Sequence, residues 1–279
     1  MNELIYTSPN GQIVFSLQSG IVISRIEALD SQEVKFSTTE KPNGIGDKVE
    51  SQRVTGKKLR VIGAIIGDAA DARKRLNHII APLQEGTLTF DGAYQMRVYP
   101  QKTPQIERYA TNPAFTFILY APQPFWGMME WQSTLLLGLV RRFRFPFTMA
   151  GKYRFSEFSR AAYANAHNSG EVPVSWKATL YAVNEVRNPY IENFATGQRV
   201  KLWHVMEPGA GVTIDCTGDE LAVTCYSADG TQINGFTLLD LDSDAFELQP
   251  GDNLIRCGCD EEGTALRAQL QWQPAISGV

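Results

Sequence analysis

The chain has 279 residues, of which 43% are hydrophobic and 20% charged, with a formal net charge of -4. That length accommodates two domains with their own cores, and the composition is that of a folded protein with dispersed Gly and Pro. The acidic balance argues against tight sequence-independent nucleic-acid binding, which relies on many Lys and Arg at phosphates.

Met1-Asn2-Glu3 opens without a positive region and an apolar stretch, so no secretory signal is expected and synthesis and folding in the cytoplasm are. The longest apolar run, Leu135 to Val140, is too short to span a bilayer.

Alternating Ile13, Phe15 and Leu17, then Ile21, Ile23 and Ile26 after Gly20, predict an antiparallel meander. From Thr38 to Gly56 the chain turns polar around Pro42-Asn43-Gly44, which predicts a long loop or protruding hairpin, an arm, before a strand over Leu59 to Ile66. One helix is predicted over 68–81: Asp68 caps it, Asp71 sits where the helix dipole favours negative charge, and Pro82 stops it. Ala72, Leu76, Ile79 and Ile80 then face a sheet, and Arg73, Lys74 and Arg75 form a solvated basic face. Strands follow at Thr87 to Phe90, Tyr94 to Tyr99 and Ala114 to Tyr120, and Pro122-Gln123-Pro124 breaks the pattern.

The next forty residues, rich in Arg and Phe, read as a connector. Arg141, Arg142 and Arg144 interleave with Phe143, Phe145 and Phe147, a mixture that fits an inter-domain or inter-subunit contact better than a nucleic-acid stripe at this net charge. At Asn168-Ser169-Gly170 a second alternation begins, Val172, Val174, Trp176, Ala178, Leu180, and continues in short strands at Val200 to Trp203, Val212 to Cys216, Leu221 to Tyr226, Phe236 to Leu239, Leu254 to Cys259 and Leu266 to Trp272. Short strands separated by turn signals, with Pro250-Gly251 suited to a type II turn, predict a jelly-roll or galectin-like sandwich. The expected division is 1–130, a connector 131–167, and 168–279, a mainly β protein throughout.

Candidate chemistry is sparse. His78, His167 and His204 have no telling neighbours, and no Gly-x-Ser-x-Gly elbow occurs, so no catalytic residue is assigned. Asp240, Asp242 and Asp244 resemble the start of a calcium loop, but Ala245 stands where the turn needs Gly, so a solvated acidic loop is expected and neither metal nor cofactor is assigned. The Gly44-x-Gly46 pair does not open a helix after a strand, which argues against a phosphate cradle. Cys216, Cys225, Cys257 and Cys259 lack the spacing of a zinc site and are expected to be reduced, buried core residues. Trp176 and Trp272 fall on apolar faces, leaving Trp203 and Tyr226 as the candidate carbohydrate-binding aromatics.

The order of these signals resembles the distal tail protein (Dit) family of long-tailed bacteriophages. In the first half the resemblance rests on Leu59 to Gly63, the helix, Gly86-x-Leu88, and Phe115 to Tyr120 ending in Ala121-Pro122-Gln123-Pro124-Phe125. In the second it rests on Asn168-Ser169-Gly170, Pro173, Asn188-Pro189, Ile191, Asn193, Gly197, Leu202 and Gly251-x-Asn253-x-Ile255. The Arg/Phe-rich connector departs from the family pattern.

The resemblance implies an amino-terminal β-sandwich or split-barrel-like domain with one helix, followed by a galectin-like sandwich. It implies a non-enzymatic hub at the virion tail tip or baseplate, a homo-hexameric ring. Its implied partners are the major tail (tube) protein, the tail-tip or tail-associated lysin protein, the tape measure protein and a receptor-binding protein, with no specific nucleic acid or membrane. The alternatives are a lectin-like protein that holds a host-surface saccharide and a cell-wall hydrolase with an acidic residue near Asp240.

Overall fold

The computed structural model describes residues 3–41, 44–108, 110–137, 139–141, 156–158, 161–260 and 266–279. Two compact units emerge: Met1–Glu130 together with Ala275–Val279, and Trp131–Pro274. The last five residues, expected in the second domain, therefore belong to the first. The expected connector is also redistributed, because parts of it pair as strands of the second unit.

The first unit is an antiparallel sheet ordered Gly11–Phe15, Leu4–Ser8, Gly86–Phe90, Tyr94–Ile106, Ala114–Ala121, Lys57–Ile65, Ile21–Glu27. The long strand Tyr94–Ile106 makes it curl. Its first half pairs with Gly86–Phe90 and its second with Ala114–Ala121, through two register shifts. Irregularities of that kind bend and twist a strand. The short strand Trp126–Met128 pairs on one side with Tyr94–Ile106 and on the other with Ala275–Ile276. Leu17 lies past the end of its strand and is exposed, so the expected face stops at Phe15.

The helix runs Ala69–Ile79, with the Asp68 carboxylate accepting from the amides of Ala70 and Asp71. Eleven residues are too few for a stable isolated helix, so packing must supply the rest. Leu76, Ile79 and Ile80 are buried against the core of Tyr6, Ile13, Phe15, Leu88 and Phe117, at about 2 kcal/mol for each apolar side chain. Arg73 departs from the expected solvated face: its guanidinium donates to the Glu107 carbonyl at 2.7 Å.

The second unit is a sandwich. A six-stranded sheet runs Gln132–Leu137, Leu266–Trp272, Trp176–Ala182, Gly211–Asp215, Ala222–Tyr226, Gln232–Asn234. A four-stranded sheet runs Ala161–Asn168, Gly251–Gly258, Tyr190–Asn193, Arg199–Lys201. Strict alternation puts Trp176, Ala178, Leu180, Leu270 and Trp272 from the first sheet, and Ile191, Val200, Ile255 and Cys257 from the second, in the interior. The indole of Trp176 donates to the Phe246 carbonyl at 2.8 Å, which satisfies its one polar atom while its rings fill the core.

Buried amides lock the turns of this unit. Asn168 donates to the carbonyls of Val172 and Leu248 and accepts from the amide of Gly170. Asn193 accepts from Ala195. Gly251 takes φ +86, as a type II turn after Pro250 requires. The segment Phe236–Leu238, expected as a strand, is instead a 3-10 turn, because the Asn234 side chain accepts from Phe236 and the Gly235 carbonyl from Leu238.

Candidate interaction surfaces

The arm is a two-stranded ribbon, Val34–Glu40 with Asp47–Val54, that pairs with no other strand among the described residues. It begins four residues before the expected start at Thr38, and all its strand residues are exposed. Its register sets Val34 against Val54, Phe36 against Gln52 and, past a bulge at Ser37/Thr38, Thr38 against Val49. Side chains alternate across a ribbon, so Val34, Phe36, Val49 and Val54 share one face while Lys35, Arg53 and Lys48 occupy the other. Phe36 is 54% and Val49 53% exposed. A lone ribbon is marginal in water, and this one carries an apolar face that none of the described residues covers.

The outer face of the four-stranded sheet is a second surface. One row across it reads Tyr163, Arg256, Glu192, Arg199, and the next reads Gly258, Tyr190, Lys201. The Arg256 guanidinium pairs with Glu192 at 2.6 Å and lies 5.3 Å from the centre of the Tyr190 ring. Tyr190 covers Gly258 so closely that a Cβ there would meet its hydroxyl at 2.5 Å. Tyr163 and Phe194 meet edge-on at 5.7 Å, and both are exposed.

Beyond this row the Lys201 ammonium lies 4.6 Å from the Trp203 ring centre. The same ammonium donates to both oxygens of Asp260, at 2.8 and 3.1 Å. Asn188, in the left-handed region at φ +52, donates to Asp260 at 2.8 Å. These hydrogen bonds, that from Lys201 foremost, hold the Asp260 carboxyl below its ordinary value. Trp203 is thus an exposed indole, 55% accessible, beside a fixed set of donors and acceptors.

The structure does not bring the two candidate aromatics together. Trp203 follows the four-stranded sheet, whereas Tyr226 is half-buried on a strand of the six-stranded one. The acidic loop uses its own carboxylates: Asp240 accepts from the amide of Asp242, and Asp244 from the Gln198 side chain. Among the described residues no group of three or more His, Cys, Asp or Glu is placed to hold a metal. No disulfide joins cysteines among the described residues, but only Cys225 and Cys257 are buried, and burial pushes the half-buried Cys216 up to about 12. His167 contacts Asp252 at 2.7 Å on an exposed edge, and burial lowers the pKa of His204. The expected interface residues Arg142, Phe143, Arg144, Phe145 and Phe147 lie outside the described residues.

Sequence reasoning missed Lys201, Asp260 and Asn188. Nothing local to Asn188-Pro189 reveals that Asp260 comes back beside it.

Among the described residues these features define a class: a two-unit, mainly β protein with one α-helix, an extended hairpin and a sandwich, rich in surfaces and poor in clustered reactive groups. The fold is that of the Dit protein of phage SPP1, described as a paradigm of the hub adsorption apparatus in phages that infect Gram-positive bacteria, with a TM-score of 0.67 at 9% identity over 98% of both chains. A chain of the phage P2 baseplate in its activated conformation with calcium is also similar, with a TM-score of 0.51 at 11% identity over all of both chains. Residues 169–275 match the family model of the siphovirus-type tail component, C-terminal domain. No curated protein matches the chain in sequence.

Proposed function

We propose that this protein is a structural hub of a phage tail tip or baseplate, made in the host cytoplasm and resident in the virion. The observation that carries the reading is the agreement of two independent likenesses, the family match over 169–275 and a fold shared along nearly the whole chain with a hub protein. Six copies close into a ring, each laying the apolar face of its arm on the next, since a head-to-tail contact that closes makes a ring. The ring meets the tail tube protein on one side and the tail-tip or tail-associated lysin protein on the other. The tape measure protein occupies its channel, and receptor-binding proteins dock on the second unit. Its work is assembly, and no catalytic step is assigned to it. Gold-labelled antibody against this chain should decorate virions at the tail tip; decoration along the tube, or none, argues against the reading.

Trp203 supports a second reading, a saccharide contact on the second unit. An exposed indole offers a flat apolar face to a sugar ring, and Lys201, Asp260 and Asn188 offer hydroxyl partners already held in place. A glycan panel probed with the full chain tests it: binding lost in Trp203→Ala and kept in Tyr226→Ala supports it, and no binding across cell-wall glycans removes it.

A further inference from the structure

The root of the arm is built from residues far apart in the chain. Ala28 turns at φ +64, and the Leu29 carbonyl accepts from the buried Lys57 ammonium at 2.9 Å and from the Trp126 indole at 3.4 Å. The neck closes where the Thr55 amide donates to the Glu33 carbonyl at 2.9 Å. Between these points the holding groups come from the segment that follows the second unit and from Pro124, whose carbonyl lies 3.3 Å from the Gln32 side-chain nitrogen. The Gln32 side chain donates to the Ser277 carbonyl at 2.6 Å, and the Val279 amide donates to the Asp30 carboxylate at 3.1 Å. A Cβ on Gly278 would meet the Asp30 side chain at 3.2 Å. Ile276 and Val279 pack on the core of the first unit, and Ile276 pairs with Trp126, which also holds Leu29.

We infer that Ala275–Val279 is a clasp that positions the arm: it fixes residues 28–33 and so sets where the face of Val34, Phe36, Val49 and Val54 points. The inference rests on the reading that this face docks on a second copy of the chain. Its consequence is an order of events. The clasp is synthesised after the whole of the second unit, so a growing chain holds an unfixed arm until that unit has been made. A root held by Lys57, Trp126 and Pro124 alone leaves Asp30 without the Val279 amide and Gln32 without the shorter of its two hydrogen bonds, and local opening of the neck becomes easier. Premature contacts between incomplete copies are thereby disfavoured, because a mobile ribbon must be ordered before it can dock.

Two variants of the full chain test the clasp: deletion of 275–279, and Gln32→Ala, which leaves the core untouched. Hydrogen exchange is followed at the Thr55 amide and across 28–33 at a dilution where the chain is monomeric, with the amides of the helix Ala69–Ile79 as internal reference. Exchange at the root should quicken roughly tenfold in both variants while the helix reference holds, as loss of one to two hydrogen bonds implies. A synthetic peptide of residues 274–279 should slow it again in the deletion. No effect of the peptide on the deletion overturns the clasp whatever Gln32→Ala shows, because that variant also loses the contact with Pro124. Assembly at high concentration is read separately. If the parent chain forms no ring, the arm's docking role fails, while the exchange result still decides the clasp.

Discussion

Asn253 and Gln249 bond to each other twice across the turn at Pro250-Gly251. The Gln249 amide donates to the Asn253 side-chain oxygen at 2.9 Å, and the Asn253 side-chain nitrogen donates back to the Gln249 carbonyl at 2.7 Å. The same nitrogen lies 3.2 Å from the Ala166 carbonyl on the neighbouring strand. Asn253 is 4% exposed, so its amide replaces water for three carbonyls, those of Ala166, Gln249 and Gly251. Asn253→Ala should destabilise the second unit by about 2 to 4 kcal/mol, through stranded polar groups more than through lost volume. Urea denaturation followed by Trp fluorescence measures it. A loss no larger than that of an exposed Asn changed to Ala contradicts the role given to this amide.

In the first unit Tyr6 is fully buried, its hydroxyl finds no hydrogen-bond partner among the described residues, and burial pushes its pKa up to about 12. Gly86 leaves no room above it: a Cβ there would meet the ring at 2.5 Å. Two opposite results follow. Tyr6→Phe removes an unsatisfied polar group and should leave stability unchanged or raise it by about 1 kcal/mol. Gly86→Ala should lower it by about 3 kcal/mol or more through overpacking. Thermal unfolding of both variants checks this, and a large loss in Tyr6→Phe points to a partner for the hydroxyl.

The pair of Lys201 and Asp260 makes part of the second unit's stability depend on pH. The Asp260 carboxyl has a folded value below its ordinary 3.8. Its contribution is therefore fully present above 3.8 and is lost as pH falls through the lower folded value. Asp260 is 41% exposed, and solvent screening keeps the effect modest. Asp260→Asn should melt below the parent at pH 7, with the gap narrowing towards pH 3. A gap that stays constant down to pH 3 shows that the charge of Asp260 contributes nothing.

Much of this fold is legible in the sequence, and the exceptions share a cause. The helix with its Asp68 cap and the alternating strand Leu266–Trp272 depend on neighbours a few residues away, and their signals are local. The strand Gln132–Leu137 is not legible as part of a sheet, because what makes it a strand is pairing with residues 266–272, far along the chain. The same holds for Ala275–Ile276, which leaves the second unit to pair with Trp126 and Gly127. Phe236–Leu238 shows the other limit, where the Asn234 turn overrides apolar residues that suggest a strand. For the surfaces, exposure of Trp203 follows from where its strand ends, and the polar set beside it comes from Asn188 and Asp260, remote in sequence.

On the arm, Phe36 is the largest apolar side chain of the shared face and is exposed, outside the core formed by the described residues. Phe36→Ser, alone or with Val49→Ser, should leave the far-ultraviolet spectrum and melting temperature of the monomer near those of the parent, since exposed positions change stability little. Association should weaken markedly, because buried aromatics carry much of an interface's binding energy. Sedimentation of the variants beside the parent reads both quantities. Undiminished association would falsify the docking role of this face.

The hub account is tested most directly by the mass of the purified, full chain near neutral pH. Native mass spectrometry over a range of concentrations, with electron microscopy of the same sample, should show a species six times the 31.0 kDa chain and ring-shaped particles. A strict monomer at high concentration that also forms no ring when mixed with tube and tail-tip partners contradicts the account.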